Sequence, residues 1–230
     1  MSARSVRRAV EYALDRRRLS ASYADLPTDG IVPPAVPGFG PAHVYPLTPD
    51  LVKARRLAGH TRRRAVLYYC TNGPFGGTGH AHVAAIIRAN LARIGISVSI
   101  VAPPCSADNR YDAHSRQADL ILTSTFSPIL DPEAFLSQLL SHGQLGSALG
   151  SGLWTEPQFL ARVRRAAAFT GSARRAAYRR LEQELLRAAP VAAFGSFYDG
   201  HYLSPHVGCR IVQEGANVID LGMLCKRGTS

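Results

Sequence analysis

Apolar residues near the start of the chain recur at three- and four-residue intervals. Val6, Ala9, Val10, Ala13 and Leu14 share one helical face, with Arg7, Arg8, Glu11 and Arg18 elsewhere. The segment Pro27 to Pro49 then holds seven prolines, which neither a helix nor a central strand accommodates. It reads as a long ordered loop or a crossing between lobes. Asp50 is placed to cap a short helix, Leu51 to Ala58, that ends at Gly59. The run Ala65 to Cys70 predicts a buried strand, and Thr71 to Gly79 must turn. Val83, Ile86, Ile87, Leu91 and Ile94 predict one face of a helix over 80–94, stopped by Gly95. Ile96 to Val101 alternates as a strand, so this stretch forms a parallel, right-handed βαβ unit. Asp119 to Thr123 adds a short strand.

The second half turns helical. Asp131 as cap and Pro132 in the first turn open a helix through Leu140. A Gly/Ser-rich loop over 143–152 separates it from two amphipathic helices, Pro157 to Phe169 and Ser172 to Ala188. Ser172 is expected to cap the latter, whose Tyr178, Leu181 and Leu185 face the core. Pro190 stops it, and Val191 to Tyr198 returns as a strand, with further strand-like pieces at Arg210 to Gln213 and Val218 to Leu221. This order of elements indicates an α/β lobe.

Composition adds one odd number to that picture, a formal net charge of +11. Lysine occurs at Lys53 and Lys226 alone, so nearly all of the positive charge is arginine. The clusters Arg16–Arg18, Arg62–Arg64 and Arg174–Arg175 with Arg179–Arg180 raise a basic nucleic-acid-associated α/β protein as the alternative function. Without stacking aromatics or a recognisable module, they read instead as solvated helix ends. Apolar stretches are interrupted before the ~18 residues a spanning helix needs. The basic N-terminus leads into no signal-peptide hydrophobic region, which by itself keeps the chain cytoplasmic. Cys70, Cys105, Cys209 and Cys225 form no CxxC motif and read as buried free thiols; one or two disulfides become an option in an exported fold, and spacing alone does not pair them.

Catalytic signals are sparse. The glycine-rich loop Gly73 to Gly79 lacks the Lys-Ser/Thr of a P-loop and reads as a strand-to-helix turn. His80 and His82, two apart at a helix start, point in different directions and read as capping or surface residues rather than metal ligands. There is no GxSxG elbow and no close carboxylate pair. No enzyme, metal or cofactor is expected.

With the elements in order, the chain resembles one family. Val6 to Arg16 resembles its opening helix, and Pro33-Pro34 with Pro37-Gly38 resembles its proline loop. Tyr45 to Asp50 followed by Lys53-Ala54 resembles the cap of its next helix, and Asn90 to Ile96 its helix-to-strand exit. Ala118 to Leu120, Asp131-Pro132 with Phe135-Leu136, and finally Arg174, Tyr178, Glu182 and Ala189 to Val191 follow in the same order. The set is similar to the C-terminal portion of the family 5 extracellular solute-binding proteins, the oligopeptide, dipeptide and nickel receptors of ABC importers.

The resemblance implies a truncated type II periplasmic-binding-protein lobe, with the N-terminal lobe and export signal absent. Residues 1–64 lead into the lobe, 65–190 form the ligand-binding α/β lobe, and 191–230 return toward the missing lobe. It implies a peptide-like small solute, permease subunits in the membrane, no nucleic-acid partner and a periplasmic or cell-surface location. Contacts are expected from Thr71, Asn72, Thr125, Phe126, Ser127 and Asp131, which lie beyond strand ends or match family positions. The family's tryptophan aligns with Thr125, with Phe126 as a partial replacement, and the aspartate that pairs with a peptide α-ammonium aligns with Pro128.

Overall fold

The computed structural model describes residues 3–24, 26–72, 78–105, 117–124, 127, 129–138, 157–197, 202–209, 212–213 and 218–227. The predicted first helix is two. Helix α1 (Arg4–Ala13) ends where Leu14 turns extended, and Asp15 restarts the chain as cap of α2 (Arg16–Tyr23) by accepting from the Arg18 amide. Arg18 therefore lies on α2, and Glu11, expected on the polar side, is buried. Helix α3 (Leu51–Ala58) is capped by Asp50, which accepts from the Lys53 amide, and ends at Gly59 with φ 71°.

Strand β2 (Arg63–Tyr68), helix α4 (Thr78–Ala92) and strand β3 (Ile96–Val101) make the predicted parallel unit, in register from Arg63 opposite Ile96 to Tyr68 opposite Val101. Gly95, with φ 79°, supplies the left-handed turn between α4 and β3 that a side chain would strain. Strand β4 (Leu120–Ile121) joins the other side of β2, also parallel, giving the order β3-β2-β4. Asp119 fixes that entry by accepting from the Val66 amide at 2.9 Å.

Helices α5 (Pro132–Gln138), α6 (Pro157–Ala166) and α7 (Gly171–Ala188) follow. Thr170, not Ser172, is the residue before α7, and its side chain makes no capping bond; Ser172 lies inside the helix. The return strand over 191–198 shrinks to β5 (Gly195–Ser196), paired antiparallel with β1 (Leu26–Pro27). Tyr198 lies outside the described residues. The tail holds β6 (Val207–Gly208), β7 (Val212–Gln213), β8 (Val218–Ile219), a 3₁₀ turn Leu221–Met223 and β9 (Cys225–Lys226).

Two apolar clusters meet along α7. The first gathers α1, α3, β2, α4 and β3 through Val10, Leu67, Leu91 and Ile96, and includes Leu186. The second gathers Val36 and Phe39 of the proline-rich segment with Phe135, Phe159, Tyr178 and Leu185. The proline-rich segment has no ladder to satisfy its amides, so carboxylates serve instead. Asp29 is buried and accepts from the amides of Ala42, His43, Val44 and Tyr45 at 2.7–3.1 Å. Glu182 of α7 accepts from Ile31 and Val32. The end of α7 is held in the same way from outside. Arg4 donates to the Arg187 carbonyl and Arg7 to those of Ala188 and Ala189, covering acceptors at the helix end, while Tyr45 adds a second donor to the Leu186 carbonyl, which also accepts from the Ala189 amide.

The arginines are not all solvated helix ends. Arg16 is fully buried against Glu11, Arg63 and Arg64 begin β2, and Arg174 is ion-paired with Asp131 at 2.8 Å. Nor are the cysteines free: Cys70 bonds Cys105 and Cys209 bonds Cys225. Sequence spacing did not carry either pairing, because both depend on which strand ends become neighbours.

Candidate functional site

Because β2, β3 and β4 run parallel, their carboxyl ends share one edge of the sheet, where the following segments collect. That edge is where open α/β sheets receive ligands. Cys70, two residues past β2, is bonded to Cys105, four past β3. The tie is reinforced by the Thr71 amide donating to the Pro103 carbonyl at 3.0 Å and the Cys105 amide donating to Asn72 Oδ1 at 2.5 Å. The Tyr68 hydroxyl lies 3.3 Å from Cys105 Sγ. Thr71 and Asn72 are exposed on this braced segment. The Asn72 side-chain oxygen is committed to the brace.

The segment after β4 is held differently. The Tyr23 hydroxyl of α2 is 3.0 Å from Ser124 Oγ. Behind it, the buried His80 ring packs against Tyr23, with centroids 4.7 Å apart, and against Tyr69 at 5.9 Å. Among the described residues neither His80 ring nitrogen makes a well-formed hydrogen bond. Burial lowers its pKa, against a smaller opposite effect of the Cys70 backbone, and so favours the neutral ring. His80 is thus an internal residue, not the surface or capping residue expected; His82 is exposed.

The remaining predicted contacts are placed elsewhere or turned inward. Ser127 closes a local turn, donating to the Ile129 carbonyl and accepting from its amide. Asp131 accepts from the Glu133 amide at 2.8 Å, which caps α5, and pairs with Arg174 of α7 through both oxygens. The Arg174 hydrogen bonds and charge hold the Asp131 carboxyl below its usual pKa, although partial burial, the largest single influence, pushes it up. So the structure joins Thr71 and Asn72 to the exit of β3, and Asp131 to α7. Thr125, Phe126, Pro128 and the glycine-rich segment 73–77 lie outside the described residues. Sequence reasoning did not single out Tyr23 or Ser124, and it placed His80 at the surface. The disulfide had a usable signal, since two predicted neighbouring parallel strands each end in a cysteine-bearing segment.

Among the described residues no three His, Cys, Asp or Glu side chains cluster to hold a metal ion. What the edge offers is hydrogen bonding from a braced frame.

The family model for bacterial extracellular solute-binding proteins, family 5 Middle, matches residues 1–147. No curated protein matches the chain in sequence. Among solved structures, clavulanic acid biosynthesis oligopeptide binding protein 2 is 22% identical with a TM-score of 0.81, over 98% of this chain and 44% of its own. The dipeptide binding protein of Pseudoalteromonas sp. SM9913, in complex with Met-Leu, is 21% identical at 0.73, over 97% and 45%. The Escherichia coli murein tripeptide binding protein MppA is 19% identical at 0.73, again over 97% and 45%. The chain spans less than half the length of each, and the likeness is one of fold: a type II periplasmic-binding-protein-like α/β lobe. On the family match, which covers well over half of the chain, this protein belongs to the bacterial extracellular solute-binding proteins of family 5.

Proposed function

We propose that this chain forms one lobe of a two-lobed receptor that captures a peptide or similar small solute and delivers it to the permease subunits of an ABC importer. The observation that carries this reading is the braced carboxyl edge of the sheet, with Thr71 and Asn72 exposed on it, in a member of a solute-binding family. Thr125 and Phe126 remain proposed contacts from the segment after β4, whereas Ser127 and Asp131 serve the local turn and the α5 cap. The protein binds and releases its solute unchanged, and the second wall comes from the portion of the relatives that this chain does not span. A location outside the cytoplasm agrees with two disulfides, which persist in oxidising compartments.

One wall of a cleft still makes contacts, so isotope-labelled chain titrated with pooled di- to tetrapeptides should show binding near ~1 mM, worth about 4 kcal/mol. The amide shifts should fall at residues 69–72 and 122–124. Peptides, sugars and metal chelates all leaving those amides unmoved would remove the support for a receptor.

A further inference from the structure

The opposite, amino edge of the sheet carries a separate feature. From Leu51 to Cys105 the sequence contains no Asp or Glu. Within this stretch the fold brings three chain segments together at one place. Arg55 of α3 donates from Nε to the Arg93 carbonyl after α4 at 3.0 Å. The Arg63 amide at the start of β2 donates to the Gly95 carbonyl at 3.1 Å, and its guanidinium donates to the carbonyls of Ala58 and Thr61. Arg55, Arg56, Arg62, Arg63, Arg64 and Arg93 therefore crowd around the end of α3, the start of β2 and the turn into β3.

Arg55 and Arg63 have a structural task, since they satisfy carbonyls at helix ends. Arg56, Arg62 and Arg64 are exposed and make no such bond. Among the described residues none of the six pairs with a carboxylate; the ion pairs shown involve Arg16, Arg162 and Arg174. Two helix ends carrying about half a negative charge each do not balance six guanidinium groups. The excess leaves a positive surface complementary in charge to an anionic partner.

We propose that this amino-edge arginine cluster docks the protein on an anionic membrane surface, with phosphate headgroups as the groups it recognises. Guanidinium pairs with phosphate oxygens through two parallel hydrogen bonds. Val52 is 82% exposed, and helical spacing sets it on the same face of α3 as Arg55 and Arg56, where an apolar side chain enters the headgroup layer. The face suits lipid better than single-stranded nucleic acid, because it presents no Phe, Tyr or Trp platform on which successive bases would stack. Across Leu51–Tyr68 and Thr78–Val101 the sole aromatic of the Phe, Trp, Tyr class is Tyr68, which is fully buried. The cluster also sits at the end of the sheet away from the candidate solute edge, so both surfaces can act at once.

The test is co-sedimentation of the full chain with vesicles of phosphatidylcholine alone or with one third phosphatidylglycerol. Binding is expected to the anionic vesicles and to fall steeply with salt as the screening length drops from ~10 Å to ~3 Å. Replacing Arg56, Arg62 and Arg64 by Glu should weaken it at least about tenfold. The control R164E/R165E/R180E, on exposed residues of α6 and α7 and with the same net charge, should weaken it less than about twofold. Should the first variant unfold, R56Q/R62Q/R64Q serves in its place. Equal losses in both variants, indifference to phosphatidylglycerol, or tighter binding to a short single-stranded oligonucleotide than to the vesicles would each overturn the proposal. Loss of peptide binding would leave it standing, because the two edges are read separately.

Discussion

Arg16 and Glu11 show how a residue's neighbours rather than its type decide its role. Arg16 is buried at the joint between α1 and α2, donating to the carbonyls of Glu11, Pro46 and Ala193 and stacking over Tyr45. Its charge is thus solvated by the backbone as well as by Glu11. Glu11 is worse served: one carboxylate oxygen meets Arg16 and the other has no partner. Burial outweighs the attraction of Arg16 and pushes the Glu11 pKa up to about 8. A folded-state pKa above the unfolded one means this carboxyl contributes stability fully below about 4.5, and that contribution is lost as pH rises through 8. Denaturation of the wild type and E11Q from pH 5 to 8 should therefore show the wild type falling relative to the variant, by at most about 1.4 kcal/mol per pH unit. A constant difference would contradict the assignment. Helical periodicity could not reveal this pair, because it carries α1 past Leu14, where the backbone in fact turns and restarts.

At the scale of elements, the Cys70–Cys105 bond does the most to define the candidate edge. It closes a loop with a separation of 35 residues, for which chain entropy gives about 4 kcal/mol. The C70A/C105A variant is expected to lose about 2–4 kcal/mol in urea denaturation, with faster amide exchange at residues 69–72 and 102–105. The middle of β2 and β3 should stay protected. Unchanged stability would show that the two amide hydrogen bonds alongside, Thr71 to Pro103 and residue 105 to Asn72, suffice. This neighbourhood also shows which elements were legible. The β2-α4-β3 unit was, because its apolar spacing, Gly95 and the Ile96–Val101 alternation agree with one another. The cap at Asp50 and the start at Pro132 were legible for the same reason, each being local chemistry. The strand over 191–198 was not, since only Gly195–Ser196 finds a partner, far away in sequence at β1. The placement of Thr71, Asn72 and Ser127 was half legible: sequence put them beyond strand ends, but did not show the bonds that occupy Asn72 Oδ1 and the Ser127 hydroxyl.

At the scale of the whole molecule, the C-terminal part carries four of the exposed large apolar side chains: Phe197, Tyr202, Leu221 and Met223 stand 44%, 100%, 77% and 51% exposed. Where such side chains adjoin, they mark contact surfaces or association hazards. The triple variant Y202S/L221S/M223S should scatter less light at high concentration and bind less of a hydrophobic dye than the parent, with the same circular dichroism. Equal scattering would place the association elsewhere. The pairing of Leu26 with Ser196 has a further consequence, in time rather than in energy. At 5–20 residues per second, a ribosome that has made β1 needs roughly 10–30 s to make its partner β5. Glu182, which satisfies the Ile31 and Val32 amides, arrives almost as late. During that interval β2, α4 and β3 can already assemble, while the segment before them waits with unsatisfied amides. The nascent chain therefore has a defined vulnerable window. A stall between β4 and β5 should leave the β3-β2-β4 sheet formed and the proline-rich segment open to proteases.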